Sequence, residues 1–224
     1  MKTLVLDSGI MINLSMNGLL YILEELKKIS NIRLVTTNQV KYEVVDRPLG
    51  IPRFEFGAFE IKDLIDRKII EMPEDFGIPS EKLNSSTNEF KEIANHSVQA
   101  NGKWIDIVSN AEMSCLALSK ELTKKKIENI IGIDERTTRL LAEKPENLES
   151  MMAGRLHQRI TLNKKNFPAF KEFRFIRSAE IVYVAYKKGI IKLKGPKILE
   201  AVLFATKFHG SSISYEEINE LKKL

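Results

Sequence analysis

Two short apolar runs, each closed by an acidic residue, constrain the fold of this chain more than any other feature. Residues 4–6 precede Asp7, and residues 130–133 precede Asp134. Unbroken apolar runs that end in turn residues are typical of strands buried on both faces of a parallel sheet. We therefore expect both acids at the carboxyl ends of parallel strands, which is where such sheets bind ligands.

Helical and strand patterns alternate along the first 145 residues, because apolar residues recur at helical spacing between short β-like runs. The predicted helices cover residues 19–29, 38–46, 56–67, 80–98 and 110–124. Further strands are predicted at residues 33–36 and 69–72. This alternation predicts an α/β fold, namely a three-layer α/β/α domain with a mainly parallel central sheet.

The C-terminal part of the chain differs in charge from the rest. Residues 151–224 hold 15 basic and 6 acidic side chains, whereas residues 1–150 hold 20 and 24. Opposite charges in the two parts suit an enzyme that acts on nucleic acid, with a solvated lysine-rich surface as the alternative. We predict a single domain over residues 1–224, in which residues 1–145 carry the acids and residues 146–224 form a basic extension packed on them. The extension is predicted to contain a strand at 160–162, helices at 177–188 and 196–209, and a last helix from Ser214.

The composition is that of an ordinary globular protein, with 43% hydrophobic and 29% charged residues. No apolar run approaches the roughly 20 residues that cross a bilayer, and the N-terminal segment reads as a strand rather than a signal peptide. The single cysteine, Cys115, fits a reducing compartment. We expect a cytoplasmic protein with no membrane partner.

Four acids on different predicted elements form the candidate catalytic set. They are Asp7, Glu43, Glu112 and Asp134. Hydrolysis of a phosphodiester needs a nucleophilic water and charge neutralisation, which Mg²⁺ or Mn²⁺ held by a few carboxylates can supply. Each acid also has a structural explanation as a turn or cap residue. For Glu112 this explanation is specific, since Ser109 and Glu112 have the spacing of a capping box.

The order of these acids and their neighbours resembles the successive motifs of PIN domains. The matching segments are residues 5–12, 40–44, 111–118 and 133–141, and residues 176–186 and 201–208 look like the tail of larger archaeal PIN proteins. The resemblance implies a metal-dependent endoribonuclease with Mg²⁺ or Mn²⁺ as cofactor, acting as a toxin or in RNA maturation. It also implies that Asp7, Glu112 and Asp134 bind the metal, and that Glu43 binds it or orients a metal-bound water.

The third motif departs from the pattern of the family. Many relatives have Gly-Glu-x-Glu, whereas this chain has Ser109-Asn110-Ala111-Glu112 and lacks one acid. Asp106 and Glu135 are candidate compensating ligands, with a surface or cap role as the alternative. Ser8 and Thr137 are candidates to hydrogen-bond a phosphate or a metal-bound water.

Basic side chains supply the candidate RNA contacts. Arg136 and Arg139 are placed to neutralise the scissile phosphate. The remaining candidates lie in the C-terminal extension: Lys164, Lys165, Lys171, Arg174, Lys192 and Lys194. Phenylalanines at positions 167, 170, 173 and 175 interleave with these cations and fit either base stacking or the hydrophobic core.

The sequence also allows functions other than a nuclease. A PIN-fold protein that has lost activity and only binds RNA, or acts in assembly, is the main alternative. A haloacid dehalogenase-type phosphatase is disfavoured because Gly9 stands where that class needs a second acid. The sequence leaves open a homodimer and a protein inhibitor or assembly partner. The apolar face of Ile198, Val202 and Ala205 fits either a dimer interface or the core.

Overall fold

The computed structural model describes residues 2–223 and confirms the α/β architecture. Its central sheet has five strands, namely β1 (Thr3–Leu6), β2 (Arg33–Val35), β3 (Ile70–Glu71), β6 (Asn129–Gly132) and β8 (Phe175–Ile176). They lie in the order β3-β2-β1-β6-β8, and every neighbouring pair runs parallel. Parallel neighbours need long crossovers, which the intervening helices provide.

Helices cover both faces of this sheet, which gives the predicted three layers. The helices that follow β1 to β3 are α1 (Ser8–Met16), α2 (Tyr21–Ser30), α3 (Asn38–Lys41), α4 (Pro52–Asp66) and α5 (Ser80–Asn95). The later helices are α6 (Asn110–Lys124), α7 (Arg136–Glu143), α8 (Asn147–Leu156), α9 (Ser178–Lys187), α10 (Ile198–Phe208) and α11 (Tyr215–Leu221). None of the helices within residues 2–223 is both long enough and apolar enough to span a membrane.

One continuous hydrophobic core joins the acid-bearing part of the chain to the C-terminal extension. It extends from Leu4 on β1 to Ile191, which follows α9. A smaller cluster lies beneath the last helices and includes Leu203, Ile213 and Ile218. The extension is therefore integrated into the fold through buried apolar contacts.

A second, smaller sheet lies beside the central one. Its antiparallel strands are β4 (Val98–Ala100), β5 (Lys103–Trp104) and β7 (Ile160–Leu162), in the order β5-β4-β7. The helix predicted over residues 80–98 ends earlier, at Asn95, because Val98 pairs with Leu162 in this sheet. The strand predicted at 160–162 is present and belongs to this small sheet.

Candidate carboxylate site

The site lies at the point where the chain changes direction across the central sheet. From β1 the sheet continues through β2 and β3 on one side and through β6 and β8 on the other. Such a switch point leaves a crevice at the carboxyl ends of the two middle strands, where α/β proteins bind ligands. Asp7 follows β1 and Asp134 lies two residues beyond β6, so the sequence placed both acids correctly at this edge.

Backbone geometry brings these two strand ends together. The Asp7 N–H donates to the Gly132 carbonyl at 3.0 Å. A Cβ atom built on Gly9 would lie 3.5 Å from Asp7 Oδ2 and 3.6 Å from Asp134 Cβ. The two acids therefore flank the same small volume above Gly9, at the start of α1.

Asp7 holds a buried carboxylate that the fold neutralises incompletely. It caps α1, with Oδ2 accepting from the Gly9 N–H at 3.3 Å. Its other oxygen, Oδ1, is buried and has no hydrogen-bond partner among residues 2–223. Burial, followed by the negative charge of Glu112, raises the pKa of Asp7 to about 7, although the backbone N–H groups of Gly9 and Ser8 oppose the shift.

Glu112 lies in the first turn of α6 and has two structural bonds. Its Oε2 accepts from the Ser109 N–H at 2.9 Å, which completes the capping box expected from the sequence. The same oxygen accepts from Thr138 Oγ1 at 3.1 Å. Burial raises the pKa of Glu112 to about 7; the Ser109 and Thr138 bonds oppose this shift, while the charges of Glu135 and Glu43 add to it. Capping thus accounts for Oε2 and does not exclude a ligand at Oε1.

Glu43 approaches the site from an irregular turn. The predicted helix over residues 38–46 is α3 followed by one turn of π-helix, Tyr42–Asp46, and Glu43 lies in that turn. Single π turns occur frequently at functional sites. Glu43 is half-buried, and its negative charge raises the pKa of both Asp7 and Glu112.

Asp134 is bonded to the N-terminus of α9. Its Oδ1 accepts from the Ser178 N–H at 3.0 Å and from Ser178 Oγ at 3.1 Å. Its Oδ2 has a longer contact of 3.5 Å with Asn13 Nδ2. Burial raises the pKa of Asp134, and the Ser178 bonds partly offset this effect. Asp134 therefore links β6 to α9 in addition to lining the crevice.

Three polar residues around the acids were missed by sequence reasoning. Thr138 orients Glu112, Ser178 holds Asp134, and Asn13 bridges Asp134 to the Thr206 carbonyl through a 2.8 Å bond. Asn13 carried one signal, since it is a polar residue among the buried apolar positions of α1. The other two contacts join residues 26 and 44 positions apart, which no local pattern indicates.

The supporting residues have mostly structural partners. Glu135 caps α7, accepting from the Thr138 N–H at 2.7 Å. Asp106 is exposed and accepts from Asn95 Nδ2 at 2.6 Å. Ser8 begins α1 beside Asp7, and Thr137 is buried within α7. Thr138, rather than Thr137, makes the contact with an acid of the site.

The candidate RNA-binding cations fall into different environments. Arg139 is largely buried, and its guanidinium donates to Ser212 Oγ at 2.7 Å. Its side chain is therefore engaged in an internal contact rather than exposed to a ligand. Lys192 lies over the ring of Tyr21 at 4.3 Å, in the segment between α9 and α10. Lys192 is exposed, as are the candidates Arg136, Lys164, Lys165, Lys171, Arg174 and Lys194. The side chains of Phe167 and Phe170 are buried, which excludes them as stacking platforms.

The donor set fits a hard divalent cation in part. Within residues 2–223, no group of three or more His, Cys, Asp and Glu side chains is arranged to hold a metal ion. The pKa values of Asp7, Glu112 and Asp134 are nevertheless all raised, and a bound cation would stabilise the ionised form of these carboxyl groups. Magnesium commonly uses only one or two carboxylates and completes its coordination with water and substrate oxygens.

Comparison of the chain with protein-family models, with curated proteins and with solved structures found no match.

Proposed function

We propose that this protein is a metal-dependent endoribonuclease with a PIN-type carboxylate site. The observation that carries the proposal is the unpartnered, buried Oδ1 of Asp7 at the sheet's switch point, next to Glu112 and Glu43. A carboxyl group whose ionised form is this costly to bury is typical of functional sites, because structural acids are normally paired. A bound cation would remove that cost.

Each acid has a distinct role in this proposal. Asp7 and Glu112 bind Mg²⁺ or Mn²⁺ directly, and Asp134 contributes Oδ2, whose contact with Asn13 is long. Glu43 binds the metal or orients the attacking water. When bound, the metal supplies the activated water and neutralises charge on the scissile phosphate. Arg136, exposed in the first turn of α7, is positioned to attract the RNA backbone.

Cleavage in which water attacks phosphorus and the P–O3′ bond breaks leaves 5′-phosphate and 3′-hydroxyl ends, with the proton on the departing 3′ oxygen. Because the ribose 2′-hydroxyl does not attack, no cyclic phosphate forms. The test incubates a panel of single-stranded and structured RNAs with Mn²⁺, Mg²⁺ or EDTA, followed by end analysis. We expect activity only with metal, reduced at least about a hundredfold by Asp7→Asn and by Glu112→Gln. Products ending in cyclic phosphate would refute the mechanism.

Asp66→Asn is the matched control for these variants. Asp66 ends α4, is exposed and pairs with Lys62, so the same chemical change falls outside the site. Metal binding is tested separately by thermal unfolding with and without Mn²⁺. A ligand at a hundred times its Kd stabilises the folded state by about 2.7 kcal/mol. We expect this stabilisation in the wild type and Asp66→Asn, and its loss in Asp7→Asn.

The second candidate is an inactive PIN-fold protein that binds RNA or acts in assembly. Two observations favour it: Glu112 Oε2 is occupied by capping bonds, and the described residues contain no three-residue metal cluster. RNA binding that is unaffected by EDTA, together with no cleavage under any metal, would establish this candidate over the nuclease.

A further inference from the structure

The small antiparallel sheet presents an aromatic side chain on an open face. Gln99 on β4 pairs with Trp104 on one side and with Thr161 on the other. Directly paired residues of antiparallel strands point to the same face. The face therefore carries Trp104, Gln99 and Thr161, and Trp104 is 44% exposed. His96 lies beside the indole, with ring centroids 5.4 Å apart.

The opposite face of the same sheet is buried, which shows that the exposure of Trp104 is not a result of poor packing. Val98, Ala100 and Ile160 form a small core with Met152 of α8. An exposed tryptophan on a sheet whose other face is well packed leaves its ring available to stack with a ligand.

A cleft connects this sheet to the carboxylate site. It begins at Ile105, the residue after Trp104, and has a volume of about 450 Å³. Its charged lining residues are Asp106, Glu112, Glu135 and, from α8, Arg155. A second cleft of about 530 Å³ also borders α8, and Arg159, Thr161 and Lys164 are among its lining residues.

The cations along this path are available to a ligand. Arg155, Arg159 and Lys164 are exposed, and within residues 2–223 none of them forms an ion pair. Three unpaired cations near an exposed aromatic ring match the chemistry of single-stranded nucleic acid, whose phosphates need cations and whose bases need stacking surfaces. An apolar protein partner would leave these charges unpaired.

We propose that Trp104 and Arg155 form a binding track that delivers single-stranded RNA to the carboxylate site. Trp104 stacks on a base, Arg155 contacts a phosphate in the cleft, and Arg159 and Lys164 extend the path. Delivery of RNA to the carboxylate site rests on the proposed nuclease function. Binding of RNA along the track is tested separately from cleavage.

Trp104 is the only tryptophan of the chain, so its fluorescence reports directly on the track. The wild type is titrated with a single-stranded oligouridylate of about ten nucleotides in EDTA, which prevents metal-dependent cleavage. We expect saturable quenching by the single strand and little quenching by a duplex of equal length. Anisotropy of the labelled RNA measures the affinity of the variants.

The two residues are separated by their different dependence on salt. Trp104→Ala should weaken binding about tenfold without changing the slope of log K against log salt, because stacking releases no counterions. Arg155→Ala should reduce that slope by about 0.7, the value for one phosphate contact on a single strand. Trp104→Phe should retain most of the affinity, since it keeps an aromatic ring.

Lys125→Ala is the charge-matched control. Lys125 follows the last residue of α6, whereas Glu112 lies in the first turn of the same helix, so the control is remote from the cleft. It should leave both affinity and salt slope unchanged. RNA cleavage with no quenching and no effect of Trp104→Ala would overturn the track and leave the nuclease proposal standing. Binding at Trp104 without metal-dependent cleavage would support the track and overturn the nuclease.

Discussion

The two carboxylate oxygens of Asp7 lie in different environments. One oxygen caps α1, while the other is buried with no donor, and neighbouring acids make its charged form still less favourable. A residue needed only as a cap would be more stable as Asn, which caps equally well and carries no charge. The acid at this position therefore costs stability that a metal-binding function explains.

This cost predicts a pH-dependent effect of Asp7→Asn in the presence of EDTA. Below about pH 3 the side chain is largely protonated in both the folded and the unfolded chain. As the pH rises, the unfolded chain releases the proton first, while the folded chain keeps it up to a pKa of about 7. The wild type therefore loses stability, on the order of 4 kcal/mol by about pH 8. Urea denaturation should show that the free energy of unfolding of Asp7→Asn rises relative to that of the wild type across this pH range.

Asp66→Asn again serves as the control, because it makes the same chemical change at an exposed position outside the site. If the free energies of unfolding of the wild type and of Asp7→Asn changed in parallel with pH, burial of the ionised Asp7 side chain would not be destabilising.

Thr138 is predicted to act as a positioning residue for Glu112. Thr138→Val removes the hydroxyl that donates to Glu112 Oε2 and keeps the shape of the side chain. The loss of such a supporting bond typically lowers metal affinity about tenfold or more. The midpoint of Mn²⁺-dependent thermal stabilisation measures this affinity, and Thr138→Ser should restore it. An unchanged midpoint in Thr138→Val would show that the bond is only structural.

At the scale of elements, the approach of α1 to β6 sets the width of the site. A Cβ atom on Gly132 would lie 3.3 Å from Ile10 Cγ1 of α1 and 3.4 Å from the Val5 carbonyl. Both contacts are tight, and the second involves backbone that has little freedom to move. Glycine at the end of β6 thus allows α1 to begin close beside the strand and brings Asp7 near Asp134.

Gly132→Ala should therefore destabilise the protein by about 1 to 3 kcal/mol through overpacking, and should weaken Mn²⁺ binding. Gly154→Ala is the comparison, since Gly154 lies in α8 with no atom within 4 Å of the added methyl group. That change should stabilise the protein by about 1 kcal/mol because alanine favours helix. Equal effects of the two substitutions on the unfolding free energy would exclude the close approach as their cause.

At the scale of the whole molecule, the sequence left the apolar face of Ile198, Val202 and Ala205 open between a dimer interface and the core. Ile198 and Val202 pack partly against the main core. Three exposed aromatic side chains lie along α4, where Phe54 is 43%, Phe56 76% and Phe59 58% exposed. A cleft of about 510 Å³ beside them is lined by Arg47 and Arg53 and by Glu43 and Glu60. Equal numbers of both signs suit the self-complementary contact of a symmetric dimer.

We expect self-association through this α4 surface. Sedimentation velocity over a range of protein concentrations should show a dimer for the wild type and a monomer for Phe56→Lys. Leu193→Lys is the control, because Leu193 is 65% exposed and lies in the segment between α9 and α10. A monomeric wild type at every concentration would show that the α4 surface does not bind a second copy.

The sequence by itself determined the features that local physics controls. Apolar runs closed by acids predicted β1 and β6, because a strand that is buried on both faces does not need to alternate hydrophobic with polar residues. The capping boxes at Ser109 and Ser214 predicted the starts of α6 and α11, since those bonds join residues three positions apart. The parallel sheet and the placement of Asp7 and Asp134 at its carboxyl edge followed from the same patterns.

Only the tertiary structure decided which groups are buried and which distant residues meet. The small sheet joins Val98 to Leu162 through strands of two or three residues, too short to show a period. The exposure of Trp104, the burial of Asp7 Oδ1 and the bonds from Thr138 and Ser178 all depend on that packing. Burial and long-range contact arise from the whole fold, because desolvation and hydrogen bonding depend on every element that covers a group.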